Sequence, residues 1–367
     1  MKALLVQPFA QNEPRTPISL MDLAVYGRQF GHEIDVAYAD SPITGEYDVV
    51  GFSSVAFTPD TAAAVEDLRQ RYPGRLIIGG KGAETLLNDD RERLEQIGVE
   101  IFRGPGEKLF NGGNEIDYDS YPAWDAADFV ALDNLGIMRE TMTSRGCPFR
   151  CHFCHNTEPQ VRFFSTERTV QNAIMVLKTF NRDSVFFVDD IFASRTDRMY
   201  ALLDAADAAG LELRMRSHFF VHIGLVDDKR LAAIDAFRPA EMQVGMESGD
   251  NKMLQAMGKT FTAELAQERL RLLHAHRHYV ACLFLLGFPG ETRQSLQNTV
   301  DFVERNRKYM TGCWVSYYQP VPFTKGWEMA RERCKDVVSG WNTQISYLDP
   351  NLTEDDLATA RKAIMLL

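Results

Sequence analysis

An α/β chain is predicted, with a doubly wound parallel sheet first and a partial barrel of six βα units after it. Three observations carry this. Short apolar runs alternate with amphipathic helical stretches along most of the chain, the pattern of parallel sheets built from βα units. Small residues recur where those runs end, as at Gly79-Gly80 and Gly104-Pro105-Gly106. The alternation is interrupted over 111–136, where Gly112-Gly113, several acidic residues, Tyr121-Pro122 and Trp124-Asp125 read as a linker. The expected division is therefore 1–110, the linker 111–136, a second domain 137–320, and a short cap or substrate-facing segment 321–367.

In the first part, strands are expected at 3–6, 33–37, 49–53, 76–78 and 99–102, with helices at 18–30 and 59–71. Ligands of such sheets sit beyond the carboxyl ends of strands. Those ends carry Gln7-Pro8, Ser53-Ser54, Gly79-Gly80 and Gly104 to Glu107. Small residues there let a bulky ligand approach the backbone, although a tight turn explains any one glycine as well. In the second part, strands are expected at 138–143, 184–188, 213–216, 242–246, 280–286 and 314–318. Helices at 167–180, 197–209, 263–276 and 292–306 lie between them. Six such units make a partial TIM-like barrel, with its chemistry at the carboxyl ends of the strands.

The chain has 367 residues, 45% of them hydrophobic and 25% charged, enough for two buried cores. A net charge of −11 argues against a broad nucleic-acid-binding face. No apolar run reaches the length that spans a bilayer. The run Met1 to Val6 is too short, and too soon followed by Pro8, for a signal peptide. Six cysteines, three of them clustered, do not suggest a disulfide scaffold and fit a reducing cytoplasm.

Cys147, Cys151 and Cys154 stand in Ser144-Arg-Gly-Cys-Pro-Phe-Arg-Cys-His-Phe-Cys-His-Asn156. Three thiolates hold three irons of a [4Fe–4S] cube and leave the fourth without a protein ligand, whereas electron-transfer clusters use four cysteines. Zinc is the alternative, because His152 and His155 interleave, but a structural zinc site wants four ligands at other spacings. Phe153 completes Cys-x3-Cys-x-aromatic-Cys, and the loop resembles that of the radical SAM superfamily. The resemblance implies that S-adenosylmethionine (SAM) chelates the open iron and is cleaved to a 5′-deoxyadenosyl radical.

The strand ends add to this. Phe187-Val-Asp-Asp-Ile-Phe192 offers paired carboxylates. The resemblance assigns Asp189 and Asp190 to the SAM amino group, and the alternative is a helix cap or solvated turn. Arg214 and Arg216 share one side of an expected strand. One of them meets the SAM carboxylate, or both make surface ion pairs. Gly245-Met-Glu-Ser-Gly249 resembles the family's ribose-contacting motif, with Glu247 as the main contact and Ser248 beside it. Leu286-Gly-Phe-Pro-Gly-Glu-Thr292 is similar to the family's Gly-x-Pro-Gly-Glu-Thr run, placing Gly287, Pro289 and Gly290 near adenine and Thr292 as a helix cap. His274, His276 and His278 fall at an expected helix C-terminus, where cations complement the dipole. Cys282, Cys313 and Cys334 are far apart and make no pair pattern. Core packing is the default for Cys282 and Cys313.

Gly31-His-Glu33, Asp48 to Ser53, Ile78-Gly-Gly80 and Gly106-Glu107 resemble the N-terminal domain of cobalamin-binding radical SAM enzymes. That implies a Rossmann-like, cobalamin-binding sheet with Pro8, Ser53, Ser54, Gly79, Gly80, Gly104 and Glu107 at the cofactor. No Asp-x-His-x-x-Gly run offers a lower cobalt ligand. The implied activity is a cobalamin-dependent methylation of an unactivated carbon or phosphorus centre, fed by an electron donor such as flavodoxin or ferredoxin. A radical rearrangement, cyclisation or epimerisation without methyl transfer is the second reading, and a non-catalytic Fe–S or corrinoid sensor the third. The absence of cysteines before Cys147 sets the chain apart from methylthiotransferases, whose N-terminal domain holds a second cluster. A small-molecule or peptide substrate is expected, with Tyr317, Tyr318, Phe323 and Trp327 as candidate lining residues.

Overall fold

The structure is a computed structural model, and it describes residues 1–7, 17–54, 58–125, 139–156, 158–334 and 345–366. The chain forms two compact units, Met1–Thr141 with Glu167–Arg182, and Met142–Thr166 with Asp183–Leu367. Among the described residues no helix is long and apolar enough to cross a membrane.

The first unit is built on five parallel strands: β1 (Lys2–Gln7), β2 (Glu33–Tyr38), β3 (Val49–Ser53), β4 (Leu76–Gly79) and β5 (Val99–Ile101). They lie in the order β2-β1-β3-β4-β5. That order has its topological switch between β1 and β3, where doubly wound sheets of this type bind ligands. The central strands are apolar runs buried on both sides, as parallel strands covered by helices must be. Helices Ile18–Arg28 and Pro59–Arg71 stand near their expected places. Helix Asn88–Gln96 was not expected; of its nine residues only Leu94 is buried, so its sequence carries almost no apolar period.

Helix Thr166–Ile174 and the π-helical segment Met175–Thr179 pack with this first unit. Arg168 forms a fully buried ion pair with Asp22. Asp22 also accepts the indole N–H of Trp124 at 2.8 Å, and the Asn172 side chain accepts the Trp124 backbone N–H at 2.8 Å. Burying such a pair is costly unless protein partners replace water, and the contacts of Trp124 with Asp22 and Asn172 fix one end of the connecting segment. The two-residue strand β6 (Glu140–Thr141) follows; it falls within the span expected as a strand at 138–143, of which residue 138 lies outside the described residues.

The second unit opens with β7 (Ser144–Arg145), paired antiparallel with β8 (Arg162–Phe163). Five parallel strands then stand in sequence order: β9 (Val185–Phe187), β10 (Ser217–Val221), β11 (Glu241–Glu247), β12 (Val280–Leu286) and β13 (Gly312–Tyr317). One expectation is corrected here. The third strand is not 213–216 but β10, because Phe219 and Val221 supply the buried alternation. Arg214 to Arg216 form a turn before it, with Met215 in the left-handed region at φ 59°. Thr292 caps helix Arg293–Asn306 through a capping box with Ser295, as expected.

Candidate functional site

The cysteine loop is held at its neck by β7 and β8. Gly146 takes φ 97°, and a Cβ there would stand 2.2 Å from the Gln160 carbonyl oxygen, so only glycine fits. The Cys147 N–H donates to the Glu158 carbonyl at 2.9 Å, and the Cys154 N–H to the Cys151 carbonyl at 3.0 Å. His152 is an anchor rather than a ligand. Its N–H donates to the Met257 carbonyl at 2.8 Å, its Nδ1 lies 2.7 Å from the Ala256 carbonyl, and its own carbonyl accepts from Gly326 N–H at 2.7 Å. Phe153 packs against the core formed by Met253, Met257, Phe288 and Tyr318.

Burial pushes the Cys147 thiol up, against a lowering backbone hydrogen bond at Phe149. The Cys151 thiol is likewise raised by burial, against the lowering charge of Lys259. The loop borders a cleft of about 460 Å³ lined by Phe149, Cys151, Cys154, Asn156, Phe323 and Lys325, among others. Among the described residues no three His, Cys, Asp or Glu side chains converge as a single metal ion requires. A cube asks each cysteine for a separate iron, and three thiols within eight residues are a donor set that fits one.

The paired carboxylates after β9 tie the loop to the sheet. Asp189 is fully buried and accepts the N–H and hydroxyl of both Thr143 and Ser144. Burial pushes its carboxyl up to about 6, against the lowering of those hydrogen bonds. Its oxygens are committed to the strand before the cysteines. Asp190 is exposed and accepts the Gly146 N–H at 3.1 Å.

At the end of β11, Glu247 sits at φ 63° where the pairing with β12 shifts register. A non-glycine residue held there stores strain, a feature that clusters at functional sites. Its Oε1 accepts from Lys259 Nζ at 2.9 Å, and Lys259 also donates to the Gly245 carbonyl at 3.2 Å. Sequence reasoning missed Lys259. It stands in the turn after helix Asn251–Ala256, twelve residues beyond Glu247, and no local pattern marks it. Ser248 faces inward, with its hydroxyl 3.0 Å from that of Thr299 and accepting from Asp250 N–H.

After β12, Gly287 and Gly290 take φ 83° and 90°. The Gly287 N–H donates to Glu291, and the Gly290 N–H to Asp349 at 2.7 Å; Pro289 between them is buried. Glu291 is fully buried with no partner for Oε1, and burial pushes its carboxyl up to about 8. Of the four candidate lining aromatics, Tyr318 and Trp327 are core and Tyr317 is half-buried. Phe323, at φ 66° and 60% exposed, reaches the cleft.

Arg214 and Arg216 are corrected. They precede β10 and so stand at its amino end, where Arg214 pairs with Asp207 at 2.9 Å and Arg216 donates to the Asp183 carbonyl. The carboxyl end of β10 carries His222 instead, stacked on Phe149 at 3.8 Å. The three histidines are partly explained by Asp235, which lies 2.9 Å from His276 and 2.7 Å from His278. Cys282 and Cys313, which show no pairing in the sequence, are register partners on β12 and β13, and both are free thiols.

In the first unit, Ser53 is the register partner of Gly79, so the ends of β3 and β4 meet. Gly80 takes φ 75°, and a Cβ there would lie 2.5 Å from Ser53 Oγ and 3.0 Å from the Ser54 carbonyl. Four expected residues, Ser53, Ser54, Gly79 and Gly80, thus stand together at these strand ends. Gly104, at φ 103°, has open space around it. Glu107 does not join them; it is buried and accepts the Tyr121 hydroxyl. Pro8 lies outside the described residues.

Residues 141–303 match the model of the radical SAM superfamily. An uncharacterised methyltransferase of Pyrococcus horikoshii is 24% identical over 77% of this chain, which spans 62% of that relative's length. The bacteriochlorophyllide d C-12(1)-methyltransferase of Chlorobaculum tepidum is 22% identical, over 91% of this chain and 79% of the relative. Among solved structures, the radical SAM methyltransferase TsrM of Kitasatospora setae, with cobalamin and a [4Fe–4S] cluster bound, superposes with a TM-score of 0.74. That match is 16% identical and covers 99% of this chain and 85% of TsrM. The cobalamin-dependent radical enzyme OxsB matches with a TM-score of 0.69 at 16% identity, over 91% of this chain and 55% of OxsB. The three-cysteine loop lies within the span 141–303 that matches the radical SAM superfamily model, in the second, parallel α/β unit.

Proposed function

We propose that this protein is a cobalamin-dependent radical SAM methyltransferase acting on an unactivated carbon or phosphorus centre. One observation carries the reading: a backbone-pinned three-cysteine loop shares its chain with a β2-β1-β3-β4-β5 sheet whose β3 and β4 end in small residues. The likeness to TsrM, whose structure holds both cofactors, supports it. SAM at the cluster supplies a 5′-deoxyadenosyl radical, and cobalamin a transferable methyl group.

In this reading Cys147, Cys151 and Cys154 each hold one iron. Asp190, Glu247, Gly287, Pro289 and Gly290 surround SAM, while Asp189 and Phe153 hold the loop in place. Ser53, Ser54, Gly79, Gly80 and Gly104 receive the corrin. Phe323, exposed at the cleft, meets the substrate. An electron donor such as flavodoxin or ferredoxin, and a reducing cytoplasm, complete the requirements.

The test is anaerobic purification with iron, sulfide and cobalamin supplied. Corrin absorption should copurify, and 5′-deoxyadenosine should form under reduction in wild type and not in Cys151→Ala. Absence of corrin binding would sink the methyltransferase reading. A second reading, radical rearrangement without methyl transfer, draws on the likeness to OxsB, described as a cobalamin-dependent radical enzyme. Product mass separates the two, because methylation adds one methylene unit.

A further inference from the structure

Lys259 is an ammonium group where the fold should resist one. Its side chain is 6% exposed and that of its partner Glu247 13%. Taking an ammonium out of water costs several kcal/mol unless charge and hydrogen bonds replace the solvent. Two of its three N–H donors are met by Glu247 and the Gly245 carbonyl. The rings of Phe153 and Phe261 stand 5.4 and 5.9 Å from Nζ, close enough for cation–π attraction. Glu247 is its charge partner, so the ammonium form is the one this site holds. The charge also reaches further: His222 is depressed to about 4 by burial first and by Lys259 second.

The lysine is therefore held charged, nearly buried and against the cysteine loop, where its Nζ faces the ring of Phe153 next to Cys154. A three-thiolate cluster becomes more negative by one charge when it accepts an electron from an external donor. A fixed cation beside it favours that reduced state, and net local charge is one of the levers that set cluster potentials. Glu247 opposes the effect, because its carboxylate cancels part of the lysine's field.

We propose that Lys259 is a fixed counter-charge that raises the reduction potential of the cluster at Cys147, Cys151 and Cys154, with Glu247 setting how much of that charge the cluster feels. This rests on the radical SAM reading of the loop. It gives Glu247 a second role, since a ligand that draws its carboxylate away from Lys259 makes the cluster easier to reduce.

The experiment is a potentiometric titration of the full-length, anaerobically reconstituted protein, followed by electron paramagnetic resonance of the reduced cluster. Lys259→Met should keep its iron and titrate at a lower potential, while Lys259→Arg stays near wild type. Glu247→Gln should move the potential the other way, upward. A wild-type potential in iron-replete Lys259→Met overturns the proposal. Should Lys259→Met fail to hold iron, Glu247→Gln decides: a rise supports the proposal, and no change or a fall overturns it. Failure of the underlying reading looks different, because Cys151→Ala would then retain the wild-type cluster signal.

Discussion

The two ends of the β9 to β13 row use the same residue types for opposite purposes. At the amino ends, Arg214 with Asp207, His276 with Asp235, and Thr311 with Glu241 are exposed pairs. Water replaces such partners readily, and each is worth little. At the carboxyl ends, Asp189, Glu247, Lys259 and Glu291 are buried or nearly so, and each depends on one or two particular neighbours. Backbone strain does not divide this way: Glu247 is left-handed at a carboxyl end, but Met215, Arg238 and Arg277 are left-handed at amino ends. The difference shows where the fold gives up stability for a site: in buried charge rather than in strain.

The largest effect that would sharpen this contrast is expected from Gly146→Ala. The added Cβ collides with the Gln160 carbonyl in a left-handed backbone, costing about 1–3 kcal/mol or more. The loop should lose most of its iron, read as iron per protein after anaerobic reconstitution. Stoichiometric iron at an unchanged melting temperature would break the contrast.

Next comes Glu291→Gln. The folded-state carboxyl is raised from 4.5 to about 8, so the native chain keeps a proton that the unfolded chain releases. Stability is therefore fully present below about pH 4.5 and is lost as pH rises towards 8. Each unit of that window carries on the order of 1.4 kcal/mol as an upper bound. Glutamine should flatten the fall in melting temperature between pH 5 and 8; an unchanged slope would place its origin elsewhere.

Gly80→Ala asks whether the strand ends of the first unit are as exacting. Its left-handed backbone and the approach to Ser53 Oγ predict about 1–2 kcal/mol, seen as a lower urea midpoint together with weaker corrin retention. The smallest effect belongs to Arg214→Ala. Its exposed pair predicts a change within about 1 kcal/mol, and SAM affinity by equilibrium dialysis should equal that of wild type. A large loss of SAM binding would restore the arginine to the site.

Legibility in the sequence followed the same division. Strand β12 was read to the residue, since Val280 to Leu286 is one continuous apolar run. Strand β10 was misread because Arg-Met-Arg imitates alternation, while the strand begins one residue later and buries Phe219 and Val221. The cysteine loop was legible because its chemistry is carried by side chains at fixed spacing. Lys259 and the Cys282–Cys313 neighbours were not, because their proximity is created by turns and strand register rather than by spacing. Ser248 was given a cofactor, yet it packs on Thr299; a motif names the residues but not which way each one faces.

His152 bears on how such a loop is inherited or moved. Gly258 and Gly326 come against it from two other segments, and a Cβ at either would lie about 3 Å from a His152 atom, 2.9 Å at Gly258 and 3.0 Å at Gly326. The cysteine motif is thus not a portable cassette. Grafted onto another scaffold, it needs two distant glycines to travel with it, and a host with alanine at either place would misplace the cysteines.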